Sequence, residues 1–163
     1  MVSGISLYDR AVAAASSVVD PEIPVLTIAD LGVLRAVRVD GDTVEIEITP
    51  TYSGCPAMRT IEFELDAELR RAGIDKFRIA TVLSPAWTTD WLSAEGRRKL
   101  AAFGIAPPTG KISRRALFSI DAVNCPHCGS AQTERIAEFG STSCKALYRC
   151  RSCTEPFDYF KCH

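Results

Sequence analysis

Six of the seven cysteines lie in the last 43 residues of a 163-residue chain, and four of them form two Cys-x-x-Cys pairs, Cys125/Cys128 and Cys150/Cys153. One such pair is a weak signal. Two pairs separated by 21 residues rarely arise from core packing, because each knuckle aims two thiolates at one point and two knuckles complete a tetrahedral set. Gly129 permits the tight return of the first knuckle. Zinc is the default metal for four cysteines in a ribbon; similar knuckles hold iron in rubredoxin-like proteins, so iron stays open. A redox dithiol would stand as a single pair at a helix N-terminus, and two matched pairs argue against that role. His127 sits inside the first knuckle and reads as a surface residue. Cys144, Cys162 and His163 are spare: Cys144 reads as a strand residue facing the core and the other two as a fraying end.

The seventh cysteine, Cys55, stands apart in "TYSGCPAM", a polar turn followed by Pro56 and an amphipathic run from Arg59 to Arg71 in which Ile61, Leu65 and Leu69 recur every four residues. That pattern predicts Cys55 as the helix N-cap. There the free N–H groups and the helix dipole favour a thiolate. The alternative is a buried small hydrophobe that happens to precede a helix.

The elements that must position these thiols follow from periodicity and punctuation. Leu7 to Val19 is alanine-rich and predicts a helix that stops before "DPEIP", where Pro21 and Pro24 forbid continuation. Val33 to Val39 and Val44 to Ile48 alternate around Asp40–Gly41 and predict a β-hairpin with one buried face. "DKFRIATVLSP" predicts a third strand. "SAEGRRKLAAFG" predicts a last helix, with Ser93 as N-cap, Leu100 and Phe103 as its apolar face and Gly104 as C-cap. The expected fold is α+β: a small three-stranded sheet with helices on one side, in the order α-β-β-α-β-α, followed by a C-terminal ribbon module. The expected domains are 1–105, a linker over 106–120 marked by "APPTGK", and the four-cysteine ribbon over 121–163. A segment as short as that ribbon has too little apolar surface to fold alone, so metal would supply much of its folding free energy.

Composition narrows the function. At 47% hydrophobic and 24% charged residues, the chain can bury a core. The net charge is −1 overall, with 11 basic and 15 acidic residues over 1–105 and 8 basic and 5 acidic over 106–163. That mildly basic tail is far from the dense patch of a nucleic-acid binder. No signal peptide and no run of about 18 apolar residues is found, so no membrane span is expected. An odd cysteine count without secretory context points to metal or redox chemistry in a reducing cytoplasm. No glycine-rich phosphate loop and no Glu-x-x-His pair of di-iron bundles is present, so oxygenase and flavin-reductase chemistry are not expected in this chain.

"DPEIPVLTIADLGVL", "TYSGCPA" and "SPAW" together resemble the SufT-like family of iron–sulfur assembly domains, on Asp20, Pro21, Glu22, Pro24, Asp30, Leu31, Gly32, Thr51, Cys55, Pro56, Pro85 and Trp87. Joined to "CPHCGS" and "STSCKALYRCRSCTEPFDYFKCH", the whole resembles the PaaD family, accessory subunits of the bacterial ring-1,2-phenylacetyl-CoA epoxidase. One departure is Ser84, before Pro85-Ala86-Trp87, where the resemblance leads one to expect aspartate. The resemblance implies a non-catalytic subunit in phenylacetate degradation that helps mature metal centres. It implies a structural zinc, a transient iron or iron–sulfur cluster, and partners among the di-iron oxygenase and iron–sulfur flavin reductase subunits. Cys55 would be the working thiolate, with Asp20, Glu22, Asp30 and Thr51 as candidate companions. The plain reading of Asp20 and Asp30 is that they cap turns, and of Glu22 that it is solvated. One thiol cannot hold a cluster, so a homodimer or a partner would supply further ligands. The competing functions are a rubredoxin-like electron carrier using the C-terminal cysteines, and a ribbon that binds nucleic acid.

Overall fold

The computed structural model describes residues 4–108 and 123–161. The chain forms two compact units, Met1–Trp87 and Thr88–His163.

In the first unit, helix α1 spans Leu7–Ser17. The Ser6 hydroxyl caps it by accepting from the Asp9 amide at 3.1 Å while donating to the Asp9 carboxylate at 2.6 Å. Its buried residues are the small Ala11, Ala14 and Ala15, which let helix α2 approach closely. The loop after α1 folds back on itself: Val19 bridges to Thr27, and Ile23, Leu26, Ile28 and Leu31 are at most 1% exposed. Strands β1 (Leu34–Asp40) and β2 (Thr43–Ile48) are antiparallel, with Gly41 and Asp42 as the turn. Helix α2 (Ala57–Arg71) then crosses over to β3 (Phe77–Thr81), which lies parallel to β2, so the sheet order is β1-β2-β3. Alternation sorts the faces of β2. Val44, Ile46 and Ile48 are fully buried, whereas Glu45 and Glu47 pair across the other face with Arg78 and Arg38. The predicted stripe of α2 is the buried one, with Ile61, Leu65 and Leu69 joined by Ala57. The Trp87 indole N–H closes the unit, donating to the Leu31 carbonyl at 2.8 Å.

In the second unit a 3-10 turn, Thr89–Trp91, leads to helix α3 (Ala94–Ala102). The Ser93 hydroxyl caps α3, accepting from the Gly96 amide at 2.9 Å. Leu100 is buried as expected, but Phe103 is 55% exposed and is itself the C-cap. The expected apolar face therefore ends at Leu100: Phe103 closes the helix with its ring exposed, and Gly104 at φ +86° then turns the chain out of it. Strands β4 (Ile105–Ala106), β5 (Thr133–Ala137), β6 (Lys145–Cys150) and β7 (Pro156–Phe160) make a second sheet in the order β4-β7-β6-β5. Its core gathers Val123, Tyr148, Phe157 and Tyr159 around Cys125 and Cys150. Residue 106, placed at the start of the expected linker, belongs to β4; residues 109–120 of that linker lie outside the described residues. None of the described helices is long and apolar enough to cross a membrane.

Candidate functional site

The two knuckles converge. Cys125, Cys128, Cys150 and Cys153 each present one sulfur, and the four sulfurs lie within 4.8 Å of one another. The Cys125–Cys153 separation is 3.7 Å and the Cys128–Cys150 separation 3.6 Å. A tetrahedral metal–thiolate centre with metal–sulfur bonds of about 2.3 Å needs sulfurs about 3.8 Å apart, so these two separations already match and the set of four suits one ion. The backbone prepares the site. The Gly129 amide donates to the Cys125 carbonyl at 2.8 Å, and the amides of Ser152 and Cys153 point at the Cys150 sulfur from 3.4 and 3.5 Å. Those amides, Cys153's first, draw the Cys150 thiol down to about 6, while burial and the neighbouring thiols push Cys153 up to about 12 and Cys128 upward, so the four sulfurs share their protons as one group. Gly129, at φ +76°, follows the second cysteine of one knuckle, and Thr154, at φ +66°, follows that of the other. The Ser130 and Ser152 hydroxyls meet at 2.8 Å across the pair. Cys144 is buried next to Thr142 at 3.1 Å and is not part of the four-sulfur group; Cys162 and His163 lie outside the described residues.

Cys55 is half-buried at the end of the loop 49–56. The N-cap of α2 is Pro56, already in helical conformation, which corrects the expectation that Cys55 itself caps the helix. The thiol still receives the Ala57 amide, and the Thr51 hydroxyl bonds it as well; both pull its pKa down. Burial raises it more, and the Glu22 and Asp20 carboxylates raise it further. The net shift is upward, so the expected helix-stabilised thiolate is corrected too: the first turn contributes, but desolvation and two negative charges outweigh it.

The candidate companions divide. Asp20 and Glu22 act on Cys55 through their charge and Thr51 through its hydroxyl. Asp20 is only 7% exposed, and one of its oxygens accepts from the amides of Glu22 and Ile23, both at 2.8 Å. Asp30 is engaged elsewhere. Its carboxylate accepts from the Thr27 amide at 3.1 Å while the Thr27 hydroxyl accepts from the Asp30 amide at 3.0 Å, a reciprocal turn clasp. Among the described residues, three or more metal-ligating side chains converge only at the four cysteines, so the Cys55 loop does not present a closed ligand set. Two features had no local signal: Thr154, a β-branched residue in a left-handed conformation, and β4, which pairs with a strand some fifty residues on.

Comparison with known proteins places this arrangement. Residues 9–81 match the model described as iron-sulfur cluster assembly protein, and residues 110–161 match the PaaD zinc beta ribbon domain. A relative from Escherichia coli (strain K12), named as a putative subunit of 1,2-phenylacetyl-CoA epoxidase, is 49% identical over 147 residues, covering 90% of this chain and 88% of its own length. The chain belongs to the PaaD family. Among solved structures, the domain of unknown function DUF59 from Bacillus anthracis superposes with a TM-score of 0.53 at 24% identity, over 58% of this chain and 91% of its own. That likeness gives the α+β fold alone.

Proposed function

We propose that this chain matures the metal centres of a multicomponent di-iron phenylacetyl-CoA epoxidase, passing iron or an iron–sulfur unit through Cys55 while the C-terminal ribbon holds a structural zinc. Support comes from its family, whose two matched models join an assembly domain to a zinc ribbon. The observation that carries the reading is the Cys55 environment: a half-buried thiol that keeps its proton, beside two carboxylates and a hydroxyl. A cation arriving there exchanges with the thiol proton and meets negative charge already in place. One sulfur and a few oxygens hold iron weakly, which suits cargo in transit. The remaining ligands come from a second copy or from the oxygenase or reductase subunit.

Cells carrying Cys55→Ser in place of the natural chain test this. The variant keeps its fold by circular dichroism, and the oxygenase purified from those cells lacks iron and epoxidase activity. A fully loaded, active oxygenase would defeat the proposal. For the ribbon, metal and acid-labile sulfide are measured on protein purified without oxygen, with about one zinc per chain and no sulfide expected. Iron without sulfide, with a reversible redox transition, would make the ribbon an electron carrier instead.

A further inference from the structure

We infer that the metal-binding module extends back to residue 88, and that α3 and β4 are locked to the four-cysteine centre through β7 and through Gly104 against His127. The inference does not depend on what passes through Cys55. Strand β4 completes the ribbon sheet, with Ile105 beside Asp158 and Ala106 beside Tyr159 in parallel register. Ile105 and Ala106 are 4% and 1% exposed, and Ala106 belongs to the same buried cluster as the ligands Cys125 and Cys150. Without β4, β7 would be an open edge and that cluster would lose one wall.

The second tie is at the turn out of α3. Gly104 has φ +86°, and a Cβ placed on it would stand 3.3 Å from Cε1 of His127. His127 lies between the ligands Cys125 and Cys128, and its ring meets the edge of Phe157 with centroids 6.5 Å apart. The first knuckle therefore rests on backbone that only glycine leaves bare. Arg97 straps the segment, donating to the carbonyls of Pro108 at 2.6 Å and Thr89 at 2.8 Å. Metal that holds the knuckle also holds α3 and β4. Its loss opens them together, although none of their residues is a ligand.

The test is hydrogen exchange on the full-length chain, loaded with Zn2+ and then stripped by a chelator. Segment 94–106 should lose protection together with 145–160, by about tenfold or more, while strand 43–48 keeps its own. Unchanged exchange in 94–106 while 145–160 opens would overturn the inference, and so would equal opening of 43–48. A second measurement isolates the turn: Zn2+ release from Gly104→Ala to 4-(2-pyridylazo)resorcinol, in the natural and the His127→Ala backgrounds. Release should quicken in both, because an alanine at φ +86° is strained whatever surrounds it, and more in the first, where the imidazole also opposes the new methyl. No change, or the same change in both, would overturn the role of the contact.

Discussion

Asp20→Ala leaves the amides of Glu22 and Ile23 without the oxygen that now accepts both at 2.8 Å. The Ile23 amide is buried, so its lost bond costs about 1–3 kcal/mol; the Glu22 amide can turn to water and costs about 1 kcal/mol. A total of about 2–4 kcal/mol is a large part of the stability of a unit this size. With a urea dependence of about 1–2 kcal/mol per molar, the unfolding midpoint falls by roughly 1–4 M. Asp20→Asn keeps the accepting oxygen and loses only the charge, so it costs less than about 1 kcal/mol and its midpoint falls correspondingly less. Both substitutions remove one of the two negative charges that raise the Cys55 pKa, so both bring that pKa down and speed Cys55 alkylation at about pH 7.5. The assay is paired: urea unfolding by circular dichroism, and iodoacetamide labelling of the peptide bearing Cys55, read by mass spectrometry. Equal midpoints for Asn and Ala would refute the turn-holding role. An unchanged labelling rate in Asp20→Asn would refute the electrostatic one.

Stability should also depend on Cys55 at alkaline pH. Its folded pKa lies above the unfolded value near 9, so its contribution is intact below about 9 and is lost as pH rises through the folded value; Cys55→Ser should flatten that alkaline decline in a pH series of thermal unfolding. Thr154→Gly relieves a β-branched residue at φ +66° and should stabilise the ribbon by about 1 kcal/mol, seen as a higher chelator concentration for half-loss of metal. Trp87→Phe strands the Leu31 carbonyl and should cost about 1–2 kcal/mol in the same urea assay used for Asp20.

What the sequence made legible was short-range. A Cys-x-x-Cys knuckle is a local turn, so spacing alone brought Cys125, Cys128, Cys150 and Cys153 together once two knuckles faced each other. The hairpin around Gly41 and the buried stripe of α2 are local in the same sense, since their periods of 2 and 3.6 are written in adjacent residues. Strand β4 was not legible, because two residues carry no period and their partner strand begins at Pro156. Cys55 shows the same limit in chemical form. Reading it from its own helix counted one influence, the amides of the first turn, and gave the wrong direction of shift. The influences that outweigh them are burial by the fold and carboxylates contributed by Asp20 and Glu22, more than thirty residues upstream. A motif locates a thiol, but its protonation state belongs to the tertiary structure. Chemistry that depends on that state should therefore respond to substitutions in the 20–22 loop and not only to changes beside Cys55 itself.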